Sequence, residues 1–402
     1  MLARVLLFHM RPLRAALSVL VFAFSSRVAA FDVAIARLAA RFAFSSYEPP
    51  PTTPPLAPPA KPKAGEVAVY RFDPTLPQPA LPALECSASD HAMVMCRRIA
   101  FLDAKVTDTQ VGVWTYSMGA GPECIAVAFR GTELDSPKDI LTDVVATQRE
   151  IDCSFLGDSG GGCGPGARAH GGFLRAYLSV RRALRAVLSE VGVPTVGHGG
   201  GPRVLLCGHS LGGALAQLCS VDLAAAGAGE GASGETSRVA VYTFGSPRVG
   251  NGAFAAAVEA REAAGSLGTW RVVVEGDAVP RLPRGTRANR LVDYRHAGAT
   301  VTLAAAARAG AWAGAAKAKM KAPPVLARVA TGGGDGGDDP LAEVDPGYRG
   351  LFPIDFRRPV RLAFLAAELR LLGTILRGEA VRNHLRGAYD RALCVVAVEG
   401  PS

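Results

Sequence analysis

The chain has 402 residues, 49% of them hydrophobic and 20% charged, which is the composition of a globular protein with a substantial core. Its formal net charge is +9, but eight Lys/Arg and only two Asp/Glu fall within residues 1–65, which leaves +3 for the rest of the chain. Because the basic residues are concentrated at the N-terminus, the charge does not indicate a nucleic-acid partner, and we expect none.

Residues 1–47 have the features of a targeting segment. Three arginines precede the apolar stretch "AALSVLVFAF" (15–24), and small residues follow in "SSRVAAF". The stretch is shorter than the roughly 20 apolar residues of a membrane-spanning helix, as in a signal peptide. The next residues, "DVAIARLAARFAFSS", are rich in Arg, Ala and Ser, as in organelle transit sequences. We predict entry into the secretory pathway or a plastid, with a membrane anchor as the open alternative.

A proline-rich segment separates this N-terminus from the remainder. Residues 48–65 contain "EPPPTTPPLAPPAKPK" and are predicted to form an extended linker. The folded domain is therefore predicted to span 66–402.

Within that domain, strand and helix patterns alternate. Residues 173–191 predict an amphipathic helix, and 211–226 predict a more apolar one. Four short apolar runs predict strands that are covered on both faces: 124–129, 203–207, 239–244 and 270–274. The alternation predicts an α/β fold with a central, mostly parallel sheet and helices on both faces.

Two segments have the composition of insertions. One is the glycine-rich 157–168; a disulfide between Cys153, before this range, and Cys163, within it, stays an open alternative. The other is 303–340, an Ala-rich helix candidate followed by the flexible composition "TGGGDGGDDP". No pair of cysteines has the spacing of a zinc site, so we expect no metal.

Two serines stand among glycines. Ser159 lies in "GDSGGG", similar to the nucleophile motif of chymotrypsin-like proteases, which carries its histidine upstream on β-barrel strands. Only His9 and His91 precede Ser159, and the architecture is α/β. The sequence therefore argues against catalysis at Ser159.

Ser210 lies in "GHSLG", directly between a predicted strand and a predicted helix. This is the context of the nucleophile elbow, where strained backbone exposes the serine hydroxyl. Gly208 and Gly212 flank it at positions where a Cβ would collide with the turn. The N-terminus of the following helix favours an oxyanion.

An elbow serine needs an acid and a histidine downstream. Asp277 follows the predicted strand "WRVVV" and would lie at a carboxyl edge of the sheet, whereas Asp293 is a weaker candidate. His296 and His384 both follow Asp277. Spacing alone leaves both histidines open.

Five motifs in order resemble the class 3 (fungal-type) lipase family over roughly residues 85–395: "VAFRGTEL", "ARAHGGFLRAY", "GHSLGGALA", "TFGSPRVGN" and "GDAVPRLP". The family consists of α/β-hydrolases that act on acylglycerols and polar lipids. The resemblance implies Ser210 as nucleophile and Asp277 as acid. It also implies His384, in "NHLRGAY", as the catalytic histidine in preference to His296, in "YRHAG". Asn383 departs from the family pattern, where an acid is common.

The resemblance further implies an oxyanion hole built from the backbone N–H groups of Thr132 and Leu211. Residues 133–148, "ELDSPKDILTDVVATQ", correspond to a segment that acts as a lid in the family. Structural roles are expected for His170 and His209.

These observations predict a serine ester hydrolase, a carboxylic ester hydrolase that cleaves fatty-acyl esters of glycerolipids at a membrane or lipid-droplet surface without a cofactor. Two alternatives stay open. One is a catalytically weak, lipase-like lipid-binding or signalling scaffold, and the other is an acyltransferase or a non-lipid esterase.

Overall fold

The structure is a computed structural model. It describes residues 31–48, 66–73, 75–76, 78, 80–81, 84, 94–132, 147–152, 166–193, 203–226, 239–283, 293–303, 327–330, 378 and 382–395.

Nine strands in these ranges form one mixed sheet. In sheet order they are β1 (Ala68–Arg71), β2 (Val94–Ala104), β3 (Thr109–Met118), β4 (Cys124–Phe129), β7 (Val204–His209), β8 (Val239–Phe244), β9 (Leu267–Val274), β10 (Ala299–Leu303) and β11 (Ala327–Ala330). The neighbours from β4 to β10 pair in parallel, and the outer pairs are antiparallel. Two short strands, β5 (Gln148–Glu150) and β6 (Arg168–His170), pair separately.

Helices cover both faces of the sheet. They are α1 (Val33–Ser45), α2 (Gly171–Glu190), α3 (Leu211–Ala226), α4 (Gly252–Ala263) and α5 (Arg386–Val395). Successive side chains of a strand point to opposite faces. Val204 and Leu206 of β7 accordingly pack with α2, α3 and α4, whereas Leu205 and Cys207 pack with α1 and α5. The predicted α/β fold, with its mostly parallel central sheet and helices on both faces, is confirmed.

Helix α1 changes the predicted boundaries of the domain. Phe42 and Phe44 of this helix are 0% and 1% exposed and lie in the same apolar cluster as Trp114 and Phe244. Burying two such side chains contributes about 1.5–3 kcal/mol each. The predicted domain start at residue 66 is therefore too late, because this part of the predicted targeting segment covers one face of the sheet. Residues 1–30 lie outside the described residues, and a targeting role for them stays a prediction.

The arginines that give α1 its transit-like composition have structural partners. Arg37 donates from Nε to the carbonyl of Leu393, 3.1 Å away near the C-terminus of α5, where a helix favours positive charge. Arg41 donates to the carbonyl of Leu81 at 3.0 Å.

Asp222 ties α3 to α2. Its carboxylate is 1% exposed and accepts hydrogen bonds from the Tyr177 hydroxyl at 2.8 Å, from Arg181 at 2.7 and 2.8 Å, and from Arg185 at 2.8 Å. A buried carboxylate is tolerated only with such partners.

The predicted insertion 303–340 is partly incorporated into the sheet. Leu303 ends β10, and residues 327–330 form β11, which pairs with β10 along an edge. The expectation of a helix followed by a flexible segment is therefore wrong for these four residues, and 304–326 and 331–340 lie outside the described residues. Among the described helices, none combines the length and the hydropathy that crossing a bilayer requires.

Candidate active site

The turn between β7 and α3 has the geometry of a nucleophile elbow. Ser210 has a φ of 57°, in the left-handed region that costs a non-glycine residue about 1–3 kcal/mol. Hydrogen bonds hold it there: its N–H donates to the Phe244 carbonyl at 2.9 Å, and its carbonyl accepts from Gly213 at 3.0 Å. The serine therefore lies at the carboxyl edge of the sheet, between β7 and β8.

The two glycines that flank Ser210 have no room for a side chain. A Cβ at Gly208 would lie 2.3 Å from the carbonyl carbon and oxygen of Gly212. A Cβ at Gly212 would lie 2.1 Å from the backbone oxygen of Phe129, at the end of β4. Glycine at 208 therefore lets the turn close on the start of α3, and glycine at 212 lets the elbow approach β4.

Asp277 follows β9 by three residues and is 1% exposed. Its Oδ1 accepts the backbone N–H of Val279 at 2.9 Å, and its Oδ2 accepts the Tyr389 hydroxyl at 2.6 Å. Burial, and next the adjacent Asp277 charge, raise the pKa of Tyr389 well above its ordinary value, so the phenol stays a donor. These hydrogen bonds fix the orientation of a carboxylate that is shielded from solvent.

Of the two candidate histidines, His384 is the one that contacts this acid. Its Nδ1 lies 2.9 Å from Asp277 Oδ2, and its side chain is 3% exposed. The opposite ring nitrogen, Nε2, is buried and has no hydrogen-bond partner among the described residues. His384 thus has one nitrogen bound to the acid and one available for a proton.

Asn383 helps to fix the loop that carries His384. Its side-chain amide donates to the backbone oxygen of Glu275 at 2.8 Å, a bond that an ionised carboxylate has no proton to make. The N–H of Glu275 donates to the carbonyl of Leu303, also at 2.8 Å. The departure from the family pattern at Asn383 is therefore accommodated by a hydrogen bond to the strand end that leads to Asp277.

The loop after β4 runs alongside the elbow. A Cβ at Gly131 would lie 2.6 Å from the His209 carbonyl and 3.3 Å from Ser210 Cβ, so the loop backbone approaches the serine closely. Thr132 is the next residue. Leu211 is the first residue of α3, where backbone N–H groups lack partners within the helix.

The other candidates take different positions. His296 is half-buried with both ring nitrogens enclosed, and this desolvation, followed by the charges of Arg271 and Arg248, lowers its pKa well below the ordinary value. Asp293 binds the N–H of Gly252, the first residue of α4, at 3.2 Å. His170 accepts the N–H of Phe173 as the N-cap of α2. Ser159, Cys153, Cys163 and 133–146 of the predicted lid lie outside the described residues.

Sequence reasoning missed two tyrosines of this site. Tyr389 lies within the quoted "NHLRGAY" segment, five positions after His384, so its closeness in sequence was the available signal. Tyr47, whose hydroxyl lies 3.0 Å from His209 Nδ1, falls in the predicted targeting segment and carried no local signal.

Known proteins resemble the middle of the chain. The family model "Lipase (class 3)" matches residues 126–286. A lipase of Rhizomucor miehei is 38% identical over 118 residues, 29% of this chain and 29% of that protein. Phospholipase A1-Igamma2, chloroplastic, of Arabidopsis thaliana is 32% identical over 182 residues, 40% of this chain and 31% of that protein. The chain thus spans less than a third of either relative. The structure of a Rhizomucor miehei lipase propeptide complex is 27% identical, with a TM-score of 0.40, over 55% of this chain and 60% of that one.

Proposed function

We propose that this chain, which belongs to the class 3 lipase family, is a serine ester hydrolase that cleaves fatty-acyl esters of glycerolipids. One observation carries the proposal: the buried pair of His384 and Asp277 lies at the same sheet edge as Ser210, whose backbone is held in the strained elbow conformation. These are the three groups that acyl transfer to a serine requires.

The chemistry follows from their positions. The Ser210 oxygen attacks the ester carbonyl carbon while His384 Nε2 takes the hydroxyl proton, and Asp277 stabilises the resulting imidazolium. The N–H groups of Thr132 and Leu211 stabilise the oxyanion, and loss of one such donor typically costs about 3 kcal/mol. His384 returns its proton to the leaving alcohol. Water then attacks the acyl-enzyme by the same steps and releases the fatty acid.

The substrate class rests on the names of relatives, one a lipase and one a phospholipase A1. We propose a glycerolipid presented at a membrane or lipid-droplet surface. The relative named chloroplastic also supports a targeting role for residues upstream of α1. Since α1 belongs to the folded domain, the N-terminus left after any processing should fall at or before Asp32. The mass of the intact protein, purified from a eukaryotic host, would determine where the mature chain begins. A mature N-terminus after Tyr47 would contradict the inclusion of α1 in the folded domain.

A fluorophosphonate probe tests the nucleophile. The full chain in detergent is treated with the probe, and the adduct is located by peptide mass spectrometry. The adduct should lie on Ser210, disappear in Ser210→Ala, and persist in Ser159→Ala as the matched control. Labelling of Ser159 would refute the proposal.

The partners of the serine are tested by fatty-acid release from micelles of triacylglycerol, phosphatidylcholine or galactolipid. Asp277→Asn should lower the rate by about 10⁴-fold, as for the acid of other serine triads. Asp293→Asn is the matched control, because it makes the same change at a partly exposed carboxylate, and it should keep the wild-type rate. A folded wild-type chain that releases no fatty acid and takes no probe would favour the scaffold alternative.

A further inference from the structure

The segment after α1 reaches the candidate active site. Tyr47 lies two residues past the end of α1, and its hydroxyl is 3.0 Å from Nδ1 of His209. The His209 ring is 2% exposed and packs against Phe44 of α1, with ring centroids 5.3 Å apart. The N-terminal helix thus contacts the residue that precedes the elbow serine.

His209 in turn contacts His384. Its Nε2 lies 2.7 Å from the backbone oxygen of His384, and the two rings are 4.6 Å apart between centroids. Because a carbonyl can only accept, Nε2 must carry the proton of this hydrogen bond. Burial lowers the pKa of His209 well below its ordinary value, and proximity to His384 lowers it further, so the ring is neutral and has a single N–H.

These constraints fix the direction of the whole chain of hydrogen bonds. With its proton on Nε2, the neutral His209 ring presents a lone pair at Nδ1, so the Tyr47 hydroxyl must donate to it. We propose that Tyr47 is a positioning residue that, through His209, holds the backbone of His384 where its ring meets Asp277, at the same sheet edge as Ser210. This role rests on the ester hydrolysis proposed above.

Tyr47 also touches the loop after β4. A Cβ at Gly131 would lie 2.2 Å from the Tyr47 hydroxyl oxygen, so the two groups are in direct contact. Burial raises the pKa of Tyr47, and a hydrogen bond from the Gly131 backbone partly opposes this rise. One hydroxyl therefore connects the loop next to Thr132 with the loop that carries His384.

The test uses Tyr47→Phe in the full chain, which keeps the buried ring and removes only the hydroxyl. Hydrolysis of p-nitrophenyl butyrate, a soluble ester, is normalised to the amount of Ser210 that reacts with a fluorophosphonate. We expect kcat to fall about tenfold, the scale of one hydrogen bond, with KM within twofold. Tyr70→Phe, on the partly buried β1, is the matched control and should leave kcat unchanged.

A double-mutant cycle separates positioning from packing. His209→Phe keeps a ring beside His384 and removes both hydrogen bonds, so kcat should fall at least as far as in Tyr47→Phe. Adding Tyr47→Phe to it should cause no further loss, because the two changes break one chain of hydrogen bonds.

The possible failures are distinguishable. Equal kcat in wild type and Tyr47→Phe, or additive losses in the cycle, would overturn the positioning role alone. A wild type that neither reacts at Ser210 nor hydrolyses the ester would overturn the proposed function, and this role with it.

Discussion

The hydroxyl of Tyr389 offers the sharpest test of how the carboxylate of the site is held. It donates to Asp277 Oδ2 at 2.6 Å and accepts a longer contact of 3.4 Å from the N–H of Val274. Hydrogen bonds to a charged group contribute about 1.5–3 kcal/mol, and Tyr389→Phe preserves the buried ring. We therefore expect the free energy of unfolding to fall by about 2 kcal/mol, as measured by urea denaturation.

The same change should slow the reaction. Without this donor, the partners that Asp277 keeps among the described residues are the Val279 N–H and His384, so its carboxylate is less firmly oriented toward the imidazole. We expect kcat for a soluble ester to fall about tenfold, or about 1.4 kcal/mol in activation free energy. Tyr177→Phe is the matched control, because its hydroxyl also donates to a buried carboxylate, but one between α2 and α3. It should lose similar stability and no activity. An unchanged kcat in Tyr389→Phe would refute the orienting role.

Three further changes test the fold around the site. Asp222→Asn should lower the free energy of unfolding by about 3 kcal/mol, measured by urea denaturation, because two arginines lose their buried counter-charge. Burial raises the pKa of Glu262 to about 7 from 4.5, so the folded state binds more protons and stability falls as pH rises between these values. Glu262→Gln does not ionise, so its free energy of unfolding should rise relative to that of wild type by about 1–2 kcal/mol between pH 4.5 and pH 8. This figure is smaller than the full pKa shift implies, because Glu262 is partly exposed. An equal difference between the two proteins at both pH values would contradict this. Gly212→Ala should abolish fluorophosphonate labelling, because its methyl would overlap the Phe129 carbonyl, whereas Gly387→Ala, which meets only the flexible end of an arginine, should label normally.

The parallel strands were predictable because both their faces are buried. β4 and β8 begin and end at the predicted residues, since continuous apolar runs have no other stable place than the centre of a sheet. β2 was missed because its pattern is interrupted by Arg98, which is only 8% exposed. Its guanidinium lies 4.7 Å from the Trp114 ring centroid and donates to the Ser45 carbonyl. When a cation is buried by partners that are distant in sequence, the strand that carries it has no continuous apolar pattern to predict it.

The site, too, has parts that a local pattern predicts and parts that depend on residues distant in sequence. Ser210 and its glycines lie within five consecutive residues, so local reasoning identified the elbow. The contact between Asp277 and His384 joins residues 107 positions apart, and spacing alone did not distinguish His384 from His296. Tyr47 and His209 are 162 positions apart, and the composition around Tyr47 indicated targeting. Pairings at such distances depend on the assembled sheet, which local patterns do not encode.

The two hydrogen bonds of the Glu275 backbone bear on how the chain tolerates changes in length. They bring together Leu303 and Asn383, the residues on either side of the 79-residue stretch 304–382. The entry and exit of that stretch are therefore fixed on one residue, two positions before Asp277. Each doubling of a flexible loop costs only about 0.6 kcal/mol in closure entropy. Changes in the length of that stretch outside β11 are thus compatible with an unchanged contact between the acid and the histidine.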